Sequence, residues 1–326
     1  MQPLAQRLQN APTPMAGLAL GISSLGWCWE SFAPLDGYAQ VTGAAVAAIL
    51  LLILSAKFAC HPRLLKEDLA HPVVGSVVPT FAMATMVVSK AVASFISLPL
   101  GATLWLAAVA LHLVFFVAFT VHRARQFELH HMVPAWFVPP VGIIVADVAF
   151  PGVAALHPLA LGLLYGGLGL YAILLPVMIY RLIFATDIPD PAKPTIAIMA
   201  APASLSLAGY LTVVAEPSRL LVALLGGIAV LMTVIIYLAF FKLLRLPYSP
   251  GYAAFTFPMV IGATALSKTA DWMHAQGFNG HDIAIVHGLA ILEVLVATAI
   301  VGYVAARYLG FYLHGWRTAA LARTAS

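Results

Sequence analysis

Charged residues are scarce in this chain of 326 residues. It contains 16 Lys and Arg and 12 Asp and Glu, so that 9% of its residues are charged while 62% are hydrophobic. An ordinary soluble domain carries about 25% charged residues. A water-facing surface cannot be built from so few charges, which excludes a soluble enzyme, a nucleic-acid-binding protein and a disordered protein. The mean hydropathy of +0.98 indicates instead a chain embedded in lipid.

Alternating strands are also lacking. Lipid permits only helices or closed barrels to span it, and a barrel strand alternates apolar and polar residues over about ten positions. This sequence has continuous apolar runs, so we predict an all-α membrane protein. A spanning helix needs about 20 apolar residues. We count ten such stretches and number them segments 1 to 10: 14–30, 39–60, 73–97, 100–121, 133–151, 157–184, 194–215, 218–243, 251–275 and 282–308.

The connections between these segments are short and rich in Pro, Gly and charge. None is long enough for a second domain. We therefore predict one ten-helix transmembrane channel domain over residues 14–309, a cytoplasmic N-terminal tail over 1–13 and a cytoplasmic C-terminal tail over 310–326. The two cysteines, Cys28 and Cys60, fall at opposite membrane faces in this layout, so we predict no disulfide between them.

The basic residues are distributed unevenly over the connections. Ten segments put both termini on one side, and that side then holds 13 of the 16 basic residues. The other side holds Arg219 and, near helix ends, Lys90 and Lys268. The positive-inside rule therefore places both termini in the cytoplasm, in a protein of the inner (plasma) membrane.

Prolines recur within the odd-numbered segments at nearly even spacing. Pro79, Pro140, Pro202 and Pro258 are separated by 61, 62 and 56 residues. The spacing predicts five like-oriented helical hairpins around a central pore, each with a kinked odd segment and a straighter even one. The kinked segments belong inside, because a freed backbone carbonyl is tolerated only against protein or a water-filled cavity. The alternative is a set of ordinary kinked bundle helices, since Pro is common in transmembrane helices.

The odd segments carry small hydroxyl side chains. Ser23, Thr85, Ser206 and Thr264 are therefore candidates for the pore lining. Small residues equally let helices pack closely, so both interpretations stay open. Neither a nucleophile–histidine pairing of the kind that intramembrane proteolysis needs nor a metal-ligand spacing is present in the sequence. We accordingly predict no enzymatic activity, no cofactor and no metal site.

Two lysines lie at equivalent depths in two of the repeats. Lys90 follows Pro79 by 11 residues and Lys268 follows Pro258 by 10. Charges within a membrane often mark ion pathways, so these two lysines are candidates for a positive vestibule that attracts anions. The alternatives are that they snorkel to the membrane interface, or that Lys268 pairs with Asp271 on its own helix.

Three further ionisable residues fall within predicted segments. Glu293 lies near the middle of segment 10 and His112 near the middle of segment 4. A proton relay and a structural hydrogen bond are both open for these two residues. Asp147, near the outer end of segment 5, is expected to lie at the membrane interface.

Several short runs resemble segments of a known family. The run Phe255–Met259 reads Phe-Thr-Phe-Pro-Met and is similar to a segment of the plant guard-cell slow anion channel and of the bacterial tellurite-resistance protein. Leu18–Gly21, His71-Pro72 and Ala201–Ala203 look like further segments of that family. The resemblance covers roughly residues 12–312. It points to the tellurite-resistance/dicarboxylate transporter family, which includes anion channels, malate transporters and sulfite exporters.

This resemblance implies a homotrimer in which each subunit has its own central pore. It also implies that a phenylalanine of segment 9 plugs the pore, and the motif assigns this gate to Phe257. The expected function is conduction of small inorganic or organic anions, with transport of C4-dicarboxylates (malate) or export of sulfite by a coupled carrier as the alternative. Nucleic acid is not an expected partner.

Overall fold

A computed structural model describes residues 8–185 and 187–324, the last twelve of these by their backbone alone. These described residues form helices and no strand, which confirms the all-α class. The main helices are Met15–Trp29, Tyr38–Cys60, Pro62–Ala70, Val74–Val77, Thr80–Phe95, Leu98–Arg125, Val138–Val141, Val145–Val148, His157–Phe184, Ala201–Val213, Arg219–Leu243, Thr256–Ala275 and Gly280–Thr324.

Every predicted segment coincides with helical structure. Within the described residues, seven helical stretches are long and apolar enough to cross a membrane: Tyr38–Cys60, Val74–Phe95, Leu98–Arg125, Ala154–Phe184, Asp190–Val213, Arg219–Leu243 and Gly280–Tyr312. These correspond to segments 2, 3, 4, 6, 7, 8 and 10. Segments 1 and 5 are shorter apolar helices, Met15–Trp29 and Pro134–Val148. Segment 9 contains the helix Thr256–Ala275, which carries the charged Lys268 and Asp271.

Each of the four segment prolines lies at a change in helix type. In segment 3, Pro79 separates Val74–Val77 from the helix that begins at Thr80. Pro140 lies in a four-residue helix of segment 5 that passes into a 3-10 turn. Segments 7 and 9 begin as 3-10 helices and become α-helical at Ala201, one residue before Pro202, and at Thr256, two residues before Pro258. Proline lacks the N–H that a continuous helix needs, which explains why the change occurs there.

The turn between segments 1 and 2 depends on two residues. Gly37 has a φ of 83°, a left-handed conformation that glycine adopts without steric cost. The Glu30 carboxylate accepts hydrogen bonds from the backbone N–H groups of Gly37, Ala39 and Gln40 at 3.0, 3.0 and 3.1 Å. These N–H groups at a helix start have no partner within the helix, so Glu30 caps segment 2 and fixes its direction.

The five odd segments contact one another in a closed ring. Segment 1 packs against segment 3, segment 3 against segment 5, segment 5 against segment 7, segment 7 against segment 9, and segment 9 against segment 1. In the most apolar stretch of segments 3 and 7, 61% and 83% of the residues are buried. The corresponding values for the five even segments lie between 22% and 33%. The odd segments therefore form an inner ring and the even segments surround it.

Candidate functional site

The inner ring encloses a cavity of about 570 Å³. All five odd segments contribute to its wall, through residues such as Leu20, Val77, Val141, Ile198 and Phe257. The lining also includes residues at the very start of each odd segment, so the cavity occupies the half of the ring where these segments begin. The sequence places this half on the cytoplasmic side. Its wall is predominantly apolar, as in a passage that holds a small ion only weakly.

Phe257 lies at the deep end of this cavity, away from the start of segment 9. Its side chain is 7% exposed and lines the cavity together with that of the adjacent Pro258. The start of the segment 9 helix is held by Thr256, whose single hydroxyl proton lies within hydrogen-bond reach of the carbonyl oxygens of Ala253, at 2.7 Å, and Gly17, at 3.1 Å. The position of Phe257 is thus fixed against segment 1 by its immediate neighbour.

Segments 1 and 9 meet closely at this point because one residue of segment 1 is glycine. A Cβ atom added to Gly21 would lie 2.4 Å from the Thr256 Oγ1 atom and 3.3 Å from the Phe257 backbone nitrogen. No side chain fits at that separation. Because residue 21 is glycine, the backbone of segment 1 can lie directly against Thr256 and the backbone of Phe257.

The four segment prolines are placed differently with respect to the cavity. Pro202 and Pro258 lie in its wall. Pro79 precedes the wall residue Thr80, and Pro140 is buried beside the wall residue Val141. In four of the five inner segments, a proline therefore lies in the cavity wall or next to a wall residue.

The four hydroxyl residues lie beyond the end of the cavity rather than in its wall. Ser23, Thr85 and Thr264 donate hydrogen bonds to carbonyl oxygens one turn earlier in their own helices. Ser206 is fully buried, and its Oγ atom has no hydrogen-bond partner among the described residues. Their role in a pore would therefore concern its outer half.

Helical periodicity places two of these hydroxyl residues, Thr264 and Thr85, on differently oriented faces of their helices. Thr264 follows Phe257 by seven residues, two helical turns, and shares its face of segment 9. Thr85 follows Phe81 by four residues, and Phe81 lines a small side pocket together with Leu54 of segment 2. Thr264 thus lies on the face that continues from the cavity, whereas Thr85 lies on the face toward the outer helices.

The two predicted vestibule lysines lie in segments 3 and 9, which both flank segment 1 in the ring. The Lys90 ammonium group donates a hydrogen bond to the carbonyl oxygen of Phe150, at 3.0 Å, at the end of segment 5. Lys268 is electrostatically coupled to both Lys90 and Asp271. Both lysine side chains are half-buried.

The expectation that Asp147 lies at the membrane interface is wrong. Its side chain is 0% exposed, and neither carboxylate oxygen has a hydrogen-bond partner among the described residues. The reason is the close packing of segment 5 on segment 7, where a Cβ added to Gly209 would lie 3.2 Å from that of Asp147. Nothing in the sequence marks this packing.

His112 and Glu293 connect outer helices to inner ones. The Nε2 atom of His112, which is fully buried, lies 2.9 Å from the carbonyl oxygen of Pro139 in segment 5. Glu293 is 6% exposed. A Cβ atom added to Gly262 would lie only 2.3 Å from the Glu293 Oε2 atom. The His112 contact is the structural hydrogen bond considered from the sequence. Glu293 packs instead directly on the segment 9 backbone at Gly262, which follows Phe257 by five residues.

One group of side chains outside the cavity has the donor atoms of a metal site. Potential ligand atoms of Glu128, His130 and His131 all lie within 4.8 Å of one another. They belong to the connection between segments 4 and 5. The sequence spacing alone predicted no metal site there, because it does not show which way consecutive histidines point.

Comparison with known proteins agrees with the sequence motifs. A family model described as "SLAC1: Voltage-dependent anion channel" matches residues 14–309. The chain belongs to the SLAC1 family. Two relatives are uncharacterized transporters of Methanocaldococcus jannaschii, one 30% identical over 237 residues (65% of this chain and 68% of the relative) and the other 31% identical over 218 residues (59% and 62%).

The resemblance read from the sequence is thereby confirmed at the level of the family. This SLAC1-family chain is an integral membrane protein of an anion channel and transporter family. The match spans all ten predicted segments, so it includes the whole inner ring and its cavity.

Proposed function

We propose that this SLAC1-family protein is a channel for small inorganic or organic anions, with a pore through each subunit that is closed by Phe257. One observation carries the proposal: residues of all five odd segments surround a single cavity, and Phe257 lies at its deep end. A ring of kinked helices with an aromatic side chain across its axis is a suitable structure for a gated passage.

The proposal includes the membrane arrangement. All ten segments cross the membrane as five like-oriented hairpins, with both termini in the cytoplasm. Segments 1, 5 and 9 cross as members of the inner ring, where their broken or charged stretches are kept away from lipid, as unsatisfied backbone groups require. The protein forms a homotrimer, and the exposed apolar faces of the even segments contact lipid or neighbouring subunits.

The gate acts through its apolar surface and its size. An aromatic ring in a narrow apolar constriction excludes water, and an anion cannot pass such a constriction while it keeps its hydration shell. Proline next to the ring removes a backbone hydrogen bond from the helix. This loosens the helix locally, so that the Phe257 ring can move without unwinding the rest of segment 9.

Lys90 and Lys268 supply the attraction for anions at the outer end. The charges that act on Lys268 are those of the Asp271 carboxylate and the Lys90 ammonium group, so the vestibule combines two cations with one anion. Among the described residues, Lys90 binds a carbonyl oxygen and no carboxylate, so this contact does not neutralise its positive charge. Two such cations beside the pore axis raise the local anion concentration.

Flux measurements on purified protein in liposomes test the proposal against a coupled carrier of malate or sulfite. A panel of chloride, nitrate, sulfite and malate would be followed with and without a pH gradient. A channel gives downhill flux for several anions that is independent of the pH gradient. Accumulation of one anion against its gradient, driven by protons, would contradict the channel and support the carrier.

A further inference from the structure

The connection between segments 4 and 5 presents three ligand-type side chains to solvent. The side chains of Glu128 and His130 are both 55% exposed, and that of His131 is 35% exposed. Glu128 Oε2 lies 3.2 Å from His130 Nε2 and 3.9 Å from His131 Nε2. Two imidazole nitrogens thus converge on one carboxylate oxygen.

The Glu128–His130 separation is compatible with a metal ion shared by the two side chains. Zinc binds imidazole nitrogen and carboxylate oxygen at about 2.0–2.2 Å, and tetrahedral geometry then places neighbouring ligand atoms about 3.4 Å apart. The observed 3.2 Å is close to this value. The 3.9 Å separation exceeds that value by about 0.5 Å, so the His131 side chain must move toward the carboxylate to bind the same ion. An ion pair would engage one protonated histidine, and it gives no reason for the second imidazole to point at the same oxygen.

The backbone beneath the three ligands is held in place. Leu129–His131 form a 3-10 turn, and the guanidinium of Arg181, which is 1% exposed, donates a hydrogen bond to the His130 carbonyl oxygen at 3.2 Å. Met132 and Val133, which follow directly, are each 1% exposed. The ligands therefore stand on a rigid support, as a preorganised site requires.

From this geometry we propose that Glu128, His130 and His131 bind a divalent transition-metal ion of the Zn²⁺ type. Two neutral imidazoles and one carboxylate are ligands that suit Zn²⁺, Ni²⁺ or Cu²⁺, whereas Mg²⁺ and Ca²⁺ take oxygen ligands. Three protein ligands leave a fourth position for water.

The proposed metal site is linked to the cavity by a short stretch of the chain. Val133 leads into Pro134–Phe137, and Phe137 lies in the cavity wall. Trp136, in the same turn, donates a hydrogen bond to the Pro72 carbonyl oxygen at 3.0 Å, which ties this stretch to segment 3. A bound metal ion restrains the start of segment 5, at the end of the ring that the sequence places in the cytoplasm. The proposal does not depend on channel activity.

Zinc titration of the full chain tests it, with the protein in detergent and an affinity tag that contains no histidine. Isothermal titration calorimetry is expected to show saturable binding of one Zn²⁺ per chain. The variant H130N/H131N and the variant Glu128→Gln should each weaken this binding by about tenfold or more. Because all three side chains are exposed to a large degree, these variants are expected to keep the elution volume of the unchanged protein.

A matched control removes two exposed histidines elsewhere. The variant H274N/H281N should bind Zn²⁺ as the unchanged protein does. Saturable binding that H130N/H131N retains, or no saturable binding by the unchanged protein, would overturn the proposal. Titration with Mg²⁺ should show no binding at this site, and competition of Mg²⁺ with Zn²⁺ would contradict the transition-metal assignment.

Discussion

A side chain added at Gly21 or Gly262, in the inner ring, would collide with a neighbouring segment, whereas one added at Gly162 or Gly166, in the outer segment 6, would meet open space. The nearest atoms to such a Cβ lie at 2.4 and 2.3 Å for the two inner glycines. No atom lies within 4 Å for the two outer ones. Apolar composition is thus used in two ways. The inner helices pack to backbone contact around a cavity, and the outer helices face lipid or other subunits.

Of the substitutions that test the packing difference between inner and outer helices, Gly21→Ala should have the largest effect on stability and flux. Its methyl group would collide with Thr256, a β-branched residue whose hydroxyl lies within hydrogen-bond reach of two carbonyl oxygens. Overpacking of this kind costs about 1–3 kcal/mol. We expect a lower melting temperature in detergent and a raised anion flux, because segment 9 must move at Phe257.

Gly166→Ala is the matched control, since the same methyl group is added where nothing lies within 4 Å. Its melting temperature should equal or slightly exceed that of the unchanged protein, because alanine favours a helix over glycine by about 0.5–1 kcal/mol. Equal melting temperatures for the inner and outer variants would contradict the packing difference.

Gly262→Ala should destabilise the protein less than Gly21→Ala. The added methyl group meets the end of the flexible Glu293 side chain rather than a β-branched one. Combining it with Glu293→Ala removes the collision, so the two substitutions should be non-additive by about 0.5–3 kcal/mol in a double-mutant cycle. Additive melting shifts would show that Glu293 does not pack on segment 9.

Neutralising both vestibule lysines should have a smaller effect, confined to low ionic strength. In the variant K90Q/K268Q, anion conductance should fall at low salt and approach that of the unchanged protein near 1 M salt, where the Debye length is about 3 Å. Lys66→Gln removes one positive charge from an exposed position that the sequence places on the opposite side, and it is the control. A loss in K90Q/K268Q that does not depend on salt would contradict an electrostatic role.

Local features of the sequence predicted much of the fold. Long apolar runs mark helices, and proline lacks the N–H that a continuous helix needs, so the changes in helix type near Pro202 and Pro258 could be located without coordinates. The rule is not general, because Pro176 lies inside the continuous helix His157–Phe184. The motif around Phe257 likewise indicated a residue that the structure places in the cavity wall. Each of these inferences needs only neighbouring residues.

Features that depend on contacts between distant segments could not be predicted. Asp147 looked interfacial because only its depth along segment 5 was visible, and its burial depends on Gly209 of segment 7. The convergence of Glu128, His130 and His131 depends on a turn anchored from segment 6. Sequence spacing contains neither the anchor nor the direction of the side chains.

Single-channel recording of Phe257→Ala in planar bilayers tests the central claim most directly. Phe81→Ala is the control, because Phe81 is also a phenylalanine of the inner ring but lies in a side pocket away from the cavity. The account predicts a large rise in anion conductance for Phe257→Ala and little change for Phe81→Ala. A folded Phe257→Ala protein with the conductance of the unchanged protein would contradict the gate.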